Sequence, residues 1–361
     1  MKDVTIVDIA RKARVSTATV SRALNGLPGV SEQTYARVHK IASEMGYRRN
    51  DVAASLVKRQ TNTLGLVVPA LSNPYFSSLM VAIKKRTLSL GYKLLICNSN
   101  WDVERELKLM KSLLERRVEG ILLYPCKPVS DGRYDSFDSP MLIFGNNDKD
   151  GFCRAYVNID QYKTGQLAVS HLFNQGYARP AFLGGNAASI SSCYREQSYR
   201  DILKQRDVNL PDSFICEGKY SIESGYERTI QLLEQPDVPD SFFCANDLIA
   251  LGCMAAITEK GFRIGADIGV IGVDNVIYSA LPQIELSTVA IPIETMGMNG
   301  VNVLLKLIEE ENDKNDKTEH KKTESVRDSI VLLEPKLIPR LTTKHVQKTS
   351  SKKSNSFNNG G

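Results

Sequence analysis

The sequence has no hydrophobic run that approaches the length of a membrane-spanning helix, and its first residues do not form an apolar, positively flanked leader. Its seven cysteines are odd in number and scattered, without a Cys-x-x-Cys pair, and its four histidines are widely separated. These absences argue against a disulfide framework and against a metal site. We therefore expect a reduced, cytoplasmic, globular protein with no membrane association and no metal.

Motifs of common catalytic folds are also missing. The chain has no Gly-x-Ser-x-Gly elbow, no phosphate-binding P-loop and no Gly-x-Gly-x-x-Gly run after a predicted strand. We expect no catalytic residues, no cofactor and no turnover. An enzyme with a doubly wound fold is the alternative, and product formed from a candidate ligand would support it.

Charge is divided unevenly along the 361 residues. Residues 1–60 contain eleven Lys or Arg and five Asp or Glu, whereas residues 61–339 contain 30 basic and 36 acidic side chains. Residues 340–361 contain five basic side chains and no acidic one. A cationic end on an acidic body suits a protein that meets a polyanion with one end only. The length predicts two or three domains.

The first 25 residues have the pattern of two short amphipathic helices around a tight turn. Thr5 and Ser16 are suitable N-caps, with Asp8 placed to complete the first cap and Val4 and Val15 placed as hydrophobic staples. Helices this close must cross steeply, which is helix-turn-helix geometry. Apolar residues at helical spacing predict one small core: Ile6, Ile9, Ala10, Ala13, Val20 and Leu24.

A third helix is predicted after the cap Ser31, with Tyr35 and Val38 on its apolar face and Gly46 as its stop. The second helix then keeps small polar residues and one arginine on its outer face, a composition suited to the DNA major groove. An ordinary helical hairpin is the alternative, but three capped helices in succession favour DNA binding. The outward residues are Thr17, Ala18, Ser21, Arg22 and Asn25.

From Leu64 onward, short apolar runs alternate with helical patterns, which predicts βαβ units and parallel sheets buried on both faces. Two successive doubly wound halves indicate two lobes, with a cleft where the carboxyl ends of the strands meet. Residues 309–322 are predicted to form a solvated loop. The predicted strands lie near 65–69, 93–97, 120–124, 141–144, 181–184, 214–216, 242–245 and 270–273, and the predicted helices near 75–90, 102–117, 161–175, 192–206, 222–234 and 247–260.

Four motifs give the chain a resemblance to the LacI/GalR family of bacterial transcription regulators, from Thr5 to about Arg340. They are Val15–Gly26, Gly46-Tyr47 with Asn50, Asn246–Gly252 and Gly272–Asn275. The resemblance implies an α/β body of two lobes, similar to periplasmic sugar-binding proteins, behind an all-α helix-turn-helix headpiece. The implied domains are a headpiece (1–49), a hinge helix or linker (50–60), an effector-binding and dimerisation domain (61–340) and a disordered basic tail (341–361). Within that domain, the N-lobe is expected at 61–159 and 291–327 and the C-lobe at 160–290 and 328–340.

The resemblance assigns DNA contacts to the headpiece and the hinge. Thr17, Ala18 and Arg22 match base-reading positions; Arg22 can bond bidentately to guanine, whereas Ala18 can only touch a thymine methyl. Leu56 matches a leucine that family members wedge into the minor groove, although spacing alone would make it a packing residue. The other expected contacts, several of them to phosphates, are Thr5, Ser16, Thr19, Ser21, Asn25, Tyr47, Asn50 and Ala53.

Six residues match effector-binding positions of the family. Two are aromatic stacking residues, two form a polar clamp that can hold hydroxyls or a ring edge, and two are weaker candidates. Taken singly, the aromatic pair would be core residues, and the clamp pair would be surface charges or a structural salt bridge. Gly145 replaces an acidic residue of many members and Ile291 replaces a glutamine. These departures indicate a ligand with fewer hydroxyls than a simple sugar, or a site partly retired. In the order given, the six are Tyr75 and Phe76, Arg195 and Asp274, and Tyr220 and Asn246.

The resemblance implies a homodimeric regulator, with repression favoured, that binds a pseudo-palindromic operator under the control of a small-molecule effector, a sugar or sugar phosphate. Whether the effector releases or recruits DNA binding stays open. A phosphocarrier protein that docks on the first lobe is a further co-regulator known in the family. A solute-binding protein of similar fold is the rival class, and the headpiece argues against it.

Overall fold

The computed structural model describes residues 4–47, 61–129, 132–145, 155–186, 189–315 and 330–344. The expected hinge, with its predicted DNA contacts Asn50, Ala53 and Leu56, and the basic tail beyond Lys344 lie outside these residues. Residues 1–61 and 62–361 belong to two separate compact units. Within the described ranges, no helix is long and apolar enough to cross a membrane. Within the same ranges, no group of three or more His, Cys, Asp or Glu side chains could hold a metal ion.

The first unit contains three helices, α1 (Ile6–Ala13), α2 (Thr17–Leu24) and α3 (Glu32–Glu44). Each begins at the N-cap that the sequence predicts, because the side chains of Thr5, Ser16 and Ser31 each accept the backbone N–H three residues further on. Asp8 completes the first capping box by accepting the N–H of Thr5 at 3.0 Å. Gly46, at φ +66°, follows the end of α3 as expected.

A small apolar core joins the three helices, with Ile9, Val20 and Val38 fully buried. The prediction that Tyr35 faces this core is wrong: its side chain is 44% exposed and packs on His39, with ring centroids 4.3 Å apart. The buried residues of α3 are Val38 and Ala42. Because α1 and α2 have eight residues each, they cover only part of the 13-residue α3.

The second unit is built of parallel βαβ repeats, as the alternation of patterns predicts. Its strands are β1 (Thr63–Val68), β2 (Lys93–Asn98), β3 (Gly120–Leu123), β4 (Met141–Phe144), β5 (Ala155–Ile159), β6 (Pro180–Leu183), β7 (Ile215–Cys216), β8 (Ser241–Cys244), β9 (Gly269–Asp274), β10 (Ser287–Ala290), β11 (Ile330–Leu333) and β12 (Lys336–Ile338). Its helices are α4 (Pro74–Ser89), α5 (Val103–Glu115), α6 (Gln161–Asn174), α7 (Ile190–Gln205), α8 (Ile222–Leu233), α9 (Asp247–Glu259) and α10 (Ile293–Asn315).

The described strands form two sheets of six, one in each lobe. The first has the order β11-β5-β4-β3-β1-β2 and is parallel throughout. The second has the order β12-β10-β9-β8-β6-β7 and is parallel except for β12, which runs antiparallel to β10. In both sheets the strand order reverses beside the first strand, and in such sheets ligands bind beyond the carboxyl ends of the strands.

Two sequence expectations require correction. Residues 328–340 were expected in the C-lobe, but Ile330–Leu333 pairs with Ala155–Ile159 and so extends the sheet of the first lobe. Only Lys336–Ile338 joins the second sheet. The solvated loop predicted from residue 309 is also wrong as far as Asn315, because Ile293–Asn315 is one helix. Its last turns are rich in Glu, Asp and Lys. Its earlier turns pack on the first sheet, and this packing stabilises the helix that the polar residues continue.

Helices α8 and α9 approach each other closely at two glycines. A Cβ atom on Gly252 would lie 1.9 Å from the carbonyl oxygen of Ile222, and one on Gly225 would lie 2.2 Å from that of Ile249. Any side chain at either position would therefore push the helices apart. This contact explains the glycine that ends the Asn246–Gly252 motif.

Candidate functional site

The outer face of α2 presents the residues predicted to read DNA. Ser16, Thr17, Ala18 and Arg22 are exposed. Within the described residues, the Arg22 side chain forms no hydrogen bond and no ion pair. A planar guanidinium on a short helix that is held by its buried side is therefore available to an outside acceptor.

The remaining predicted contacts in the headpiece are half-buried or already hydrogen-bonded. The hydroxyls of Ser16 and Thr19 lie 2.9 Å apart, and the Asn25 amide donates to the Ser21 carbonyl at 2.7 Å. The Thr5 hydroxyl donates to Asp8 at 2.6 Å. Tyr47 packs against the headpiece core. These residues fix the shape of the helix pair, and their contact with DNA stays a prediction.

A cavity of about 430 Å³ lies at the carboxyl ends of strands from both sheets. All six predicted effector residues line it. They come from separate elements: the start of α4, the middle of α7, the segment after β7, the N-cap of α9 and the last residue of β9. The structure thus brings together residues that are up to 199 positions apart in the chain, from Tyr75 to Asp274.

One wall of the cavity is aromatic. Phe76 makes edge-to-face contacts with Tyr75 and Tyr124, at centroid distances of 5.1 and 4.9 Å, and with Trp101 at 6.0 Å. Tyr220 lines the cavity from the second lobe and shares a hydrogen bond of 2.8 Å with Ser189. Burial raises the pKa of Tyr75, Tyr124 and Tyr220. These phenols therefore stay protonated and can donate hydrogen bonds to a ligand.

Arg195 supplies a buried positive charge on the opposite side. Its side chain is 5% exposed, and its Nε and Nη2 atoms donate to Gln161 Oε1 at 2.9 and 2.6 Å. A third N–H donates to the carbonyl of Ala245. These acceptors are neutral, so they orient the guanidinium without neutralising it.

Asp274 supplies the carboxyl group of the predicted clamp. It is 8% exposed, lines the cavity and has a φ of 109°, a strained conformation for a residue other than glycine. Burial raises the pKa of Asp274 well above its usual range, and the charge of Arg195 opposes this rise. Although both residues line the cavity, no ion pair joins them. The space between them is therefore available to a ligand.

A second buried acid holds the segment that carries Asp274. Asp247 is fully buried and accepts the backbone N–H of Val276 at 2.9 Å. It also accepts the hydroxyls of Ser279 at 2.6 Å and Thr288 at 2.7 Å. Burial raises the pKa of Asp247 to about 6, and these hydrogen bonds oppose the rise. Asp247 thus ties α9 to the strand end at which Asp274 enters the cavity.

The two departures from the family pattern have structural counterparts. Gly145 has a φ of +52°, and a Cβ atom there would lie 2.9 Å from the Tyr124 hydroxyl. Tyr124 thus occupies the space that an acidic side chain at 145 would need. Ile291 lines the cavity directly. Both changes replace polar groups with apolar or aromatic surface.

Sequence reasoning missed several cavity residues that follow the carboxyl ends of predicted strands. Their position after a strand could have predicted them, because the loops that follow parallel strands lie together at one edge of the sheet. Gln161 is the first residue of α6 and Ser191 is the second residue of α7, and neither directly follows a predicted strand. The missed lining residues are Asn73, Trp101, Tyr124, Cys126, Lys127, Gln161, Asn186, Ser189, Ser191, Lys219 and Ser221.

Comparison with known proteins decides the family. The model of bacterial regulatory proteins of the lacI family matches residues 5–50, and that of the periplasmic binding protein-like domain matches residues 169–343. The HTH-type transcriptional regulator DegA of Bacillus subtilis is 31% identical over 298 residues, which cover 81% of this chain and 88% of that protein. The chain belongs to the LacI family.

Other relatives agree with this assignment. Catabolite control protein A of Priestia megaterium is 30% identical to this LacI-family chain over 311 residues, 86% of this chain and 94% of the relative. A crystal structure of the Lac repressor dimer bound to operator and the anti-inducer ONPF is 28% identical, with a TM-score of 0.82, and covers 95% of this chain and 99% of that one. The protein is a DNA-binding transcriptional regulator and not an enzyme.

Proposed function

We propose that the protein is a repressor that binds a pseudo-palindromic operator as a homodimer and whose DNA affinity is set by a small-molecule effector in the cavity. The observation that carries the proposal is the outer face of α2, where Thr17, Ala18 and Arg22 are exposed on a helix whose opposite side is buried. Such a helix fits the DNA major groove. The protein would act in the cytoplasm, and a phosphocarrier co-regulator is not part of the proposal.

Base reading in this headpiece would depend mainly on Arg22. Its fork of donors suits the O6 and N7 acceptors of guanine, whereas Ala18 offers only a methyl group for thymine contact. The capped N-terminus of α2 adds backbone N–H groups that suit a phosphate. We therefore expect a strong guanine preference at one position of each half-site.

Replacing Arg22 with alanine tests this proposal. The operator is first obtained by selecting duplexes from a random pool with the full-length protein, and affinity is then titrated at several salt concentrations. We expect Arg22→Ala to cost about 1–3 kcal/mol and to relax the preference at one base pair. Arg11→Ala removes an exposed charge from α1, one that lies 3.9 Å from the Asp8 carboxylate, and should leave base preference unchanged. Equal effects of the two variants would contradict base reading by Arg22.

Effector control would act through the two lobes that share the cavity. A ligand held by Arg195 from one lobe and by the aromatic wall of the other favours one closure of the lobes. It shifts DNA affinity only by its differential affinity for the two closures, typically about 1–3 kcal/mol. The Ribose operon repressor of Escherichia coli, 29% identical over 310 residues, supports a carbohydrate-related effector. Titrating the selected duplex with and without a bound sugar or sugar phosphate shows whether the effector induces or co-represses.

Exposed apolar side chains indicate where a second copy would bind. Val81 and Leu88 on α4 are 66% and 55% exposed, and Ile96 is exposed on β2, the last strand in the order of the first sheet. Helix α4 lies against β2. Exposed apolar side chains on a helix and on the neighbouring edge strand suit an isologous homodimer contact. The solved Lac repressor dimer, which shares the fold, supports this occupant.

Val81→Glu tests the dimer. A buried, unpaired carboxylate at the centre of a symmetric contact should convert the protein to monomers at micromolar concentration and weaken operator binding. Phe262→Glu is the matched control, because Phe262 is exposed and follows α9 in the second lobe, whereas α4 and β2 belong to the first lobe. Light scattering coupled to size exclusion measures both. A Val81→Glu protein that stays dimeric would contradict the proposed surface.

A further inference from the structure

We propose that the effector is an anionic ring compound, a sugar phosphate or a sugar acid, whose negative charge is met by Arg195, Lys127 and Lys219. This inference rests on the proposed function, since it concerns the ligand of the same cavity. It depends on the balance of charges around that cavity and on the shape of its aromatic wall.

Positive side chains outnumber negative ones among the cavity residues. Arg195, Lys127 and Lys219 line it, against the single carboxyl of Asp274. None of the three cations forms an ion pair within the described residues, and Arg195 donates only to neutral oxygens. The two lysines are exposed, whereas Arg195 is buried, and a buried guanidinium without a hydrogen-bonded carboxylate creates a positive potential in a region of low dielectric constant. An anionic ligand would supply the missing counter-charge.

The carboxyl of Asp274 opposes an anion less than its formal charge suggests. Its burial raises its pKa, which favours the neutral form, and a neutral carboxyl donates a hydrogen bond to an anionic oxygen. Asp247 is the other acid near this strand end. It is fully buried, accepts three hydrogen bonds and does not line the cavity. The groups that face the ligand therefore sum to a positive site.

The two lysines come from different lobes. Lys127 follows β3 in the first lobe, and Lys219 follows β7 in the second. A group that attracts both ammonium groups would favour the arrangement in which the lobes are closer, so the ligand charge would take part in the switch. The aromatic wall supplies the surface on which the apolar face of a ring can stack.

Trp101 makes the test direct, because it is the single tryptophan of the chain and lines the cavity. Its fluorescence in the full-length protein is titrated with matched compounds: glucose, glucose 6-phosphate and glucuronate, then ribose and ribose 5-phosphate. We expect at least one anionic compound to bind roughly tenfold or more tightly than its neutral counterpart. Raising the ionic strength should weaken the anionic compound selectively. Phosphate and carboxylate members of the set distinguish the two kinds of anion.

Charge-removing variants identify the source of the preference. Lys127→Met and Lys219→Met should each weaken the anionic ligand roughly tenfold and leave the neutral one unchanged, whereas Lys111→Met, exposed on α5 outside the cavity, should change neither. A neutral compound that binds as tightly as its anionic counterpart, or a set in which no anion binds, would overturn the inference. The proposed function would stand in the first case, and in the second it is judged by the Arg22→Ala titration, which uses no ligand.

Discussion

Replacing Asp247 with alanine is expected to lower the free energy of unfolding by about 3–5 kcal/mol at neutral pH. The side chain is fully buried and accepts three hydrogen bonds, from the Val276 backbone and from the Ser279 and Thr288 hydroxyls. Alanine would leave these donors in a dry interior without their acceptor. Denaturant titration of the full-length protein measures the loss.

Asp247→Asn is the matched control. Its amide oxygen can accept the Val276 and Ser279 donors, and its NH₂ group can donate to the Thr288 hydroxyl, which then acts as the acceptor. We therefore expect the asparagine variant to be at least as stable as the parent at neutral pH, because it keeps these hydrogen bonds without burying a charge. A loss as large as that of alanine would show that the charge, not the hydrogen-bonding shape, holds this segment.

The pH dependence follows from the pKa of Asp247, which burial raises from 3.8 to about 6. The folded state then binds the proton more tightly than the unfolded state does. The contribution of Asp247 to stability is therefore highest below about pH 4 and falls as the pH rises to 6, by about 3 kcal/mol in total. The difference in unfolding free energy between the parent and Asp247→Asn should show this change. A constant difference across that range would contradict it.

The alanine variant should also lose its response to the effector. Val276 and Ser279 follow the strand end at which Asp274 enters the cavity with its φ of 109°. A strained residue keeps its conformation only where its surroundings hold it. Asp247 stands beside Asn246 in a motif that marks the family, and position in that motif alone does not distinguish the supporting acid from the cavity residue.

The headpiece was predictable because its determinants are local. Caps such as Thr5 and Ser16 act within three residues, and staples and glycine stops act within five. The prediction that Tyr35 is buried was wrong because burial on α3 depends on how far α1 and α2 extend over it. Local residue spacing does not encode that extent.

In the body, strands were predictable where they are apolar and buried, but strand pairing was not predictable where the partners lie far apart in the chain. Ile330–Leu333 was placed in the wrong lobe because its partner, Ala155–Ile159, lies about 170 positions earlier in the chain. The residues after Glu309 were predicted as a loop because their composition is polar. In the structure they continue the helix that begins at Ile293 in an apolar segment. Tertiary contacts decide both cases.

The six predicted effector residues line one cavity, but the residues around them there do not follow from the family resemblance. Trp101, Lys127 and Lys219 are contributed by loops whose paths depend on the whole sheet. Residues of this kind distinguish one effector from another within a shared fold. The clamp residues belong to the resemblance, whereas the unpaired lysines are visible only in the assembled cavity.

Arg195→Met is expected to abolish the effector response at a small cost in stability, about 1 kcal/mol, because the buried carbonyl of Ala245 loses its donor. Removing a buried, charged donor should weaken the ligand by about 3 kcal/mol or more, roughly 100-fold. Burying a guanidinium without a hydrogen-bonded carboxylate is itself costly, so a methionine of similar volume offsets part of the loss of hydrogen bonds in the free protein. Gln161 lines the cavity, so its Oε1 atom can accept hydrogen bonds from water once the Arg195 guanidinium is removed. Trp101 fluorescence and thermal denaturation measure the two effects separately.

Arg228→Met is the matched control, because Arg228 is equally buried but does not line the cavity. Its guanidinium donates to the carbonyls of Gly184 and Cys216, each at 2.7 Å, and so fastens the ends of β6 and β7. Removing it should cost about 2–3 kcal/mol of stability, since these buried carbonyls lose a charged donor. If Arg195→Met mainly loses the effector response and Arg228→Met mainly loses stability, Arg195 binds the ligand and Arg228 stabilises the fold. Equal losses of stability would instead make Arg195 a structural residue and displace the effector from this cavity.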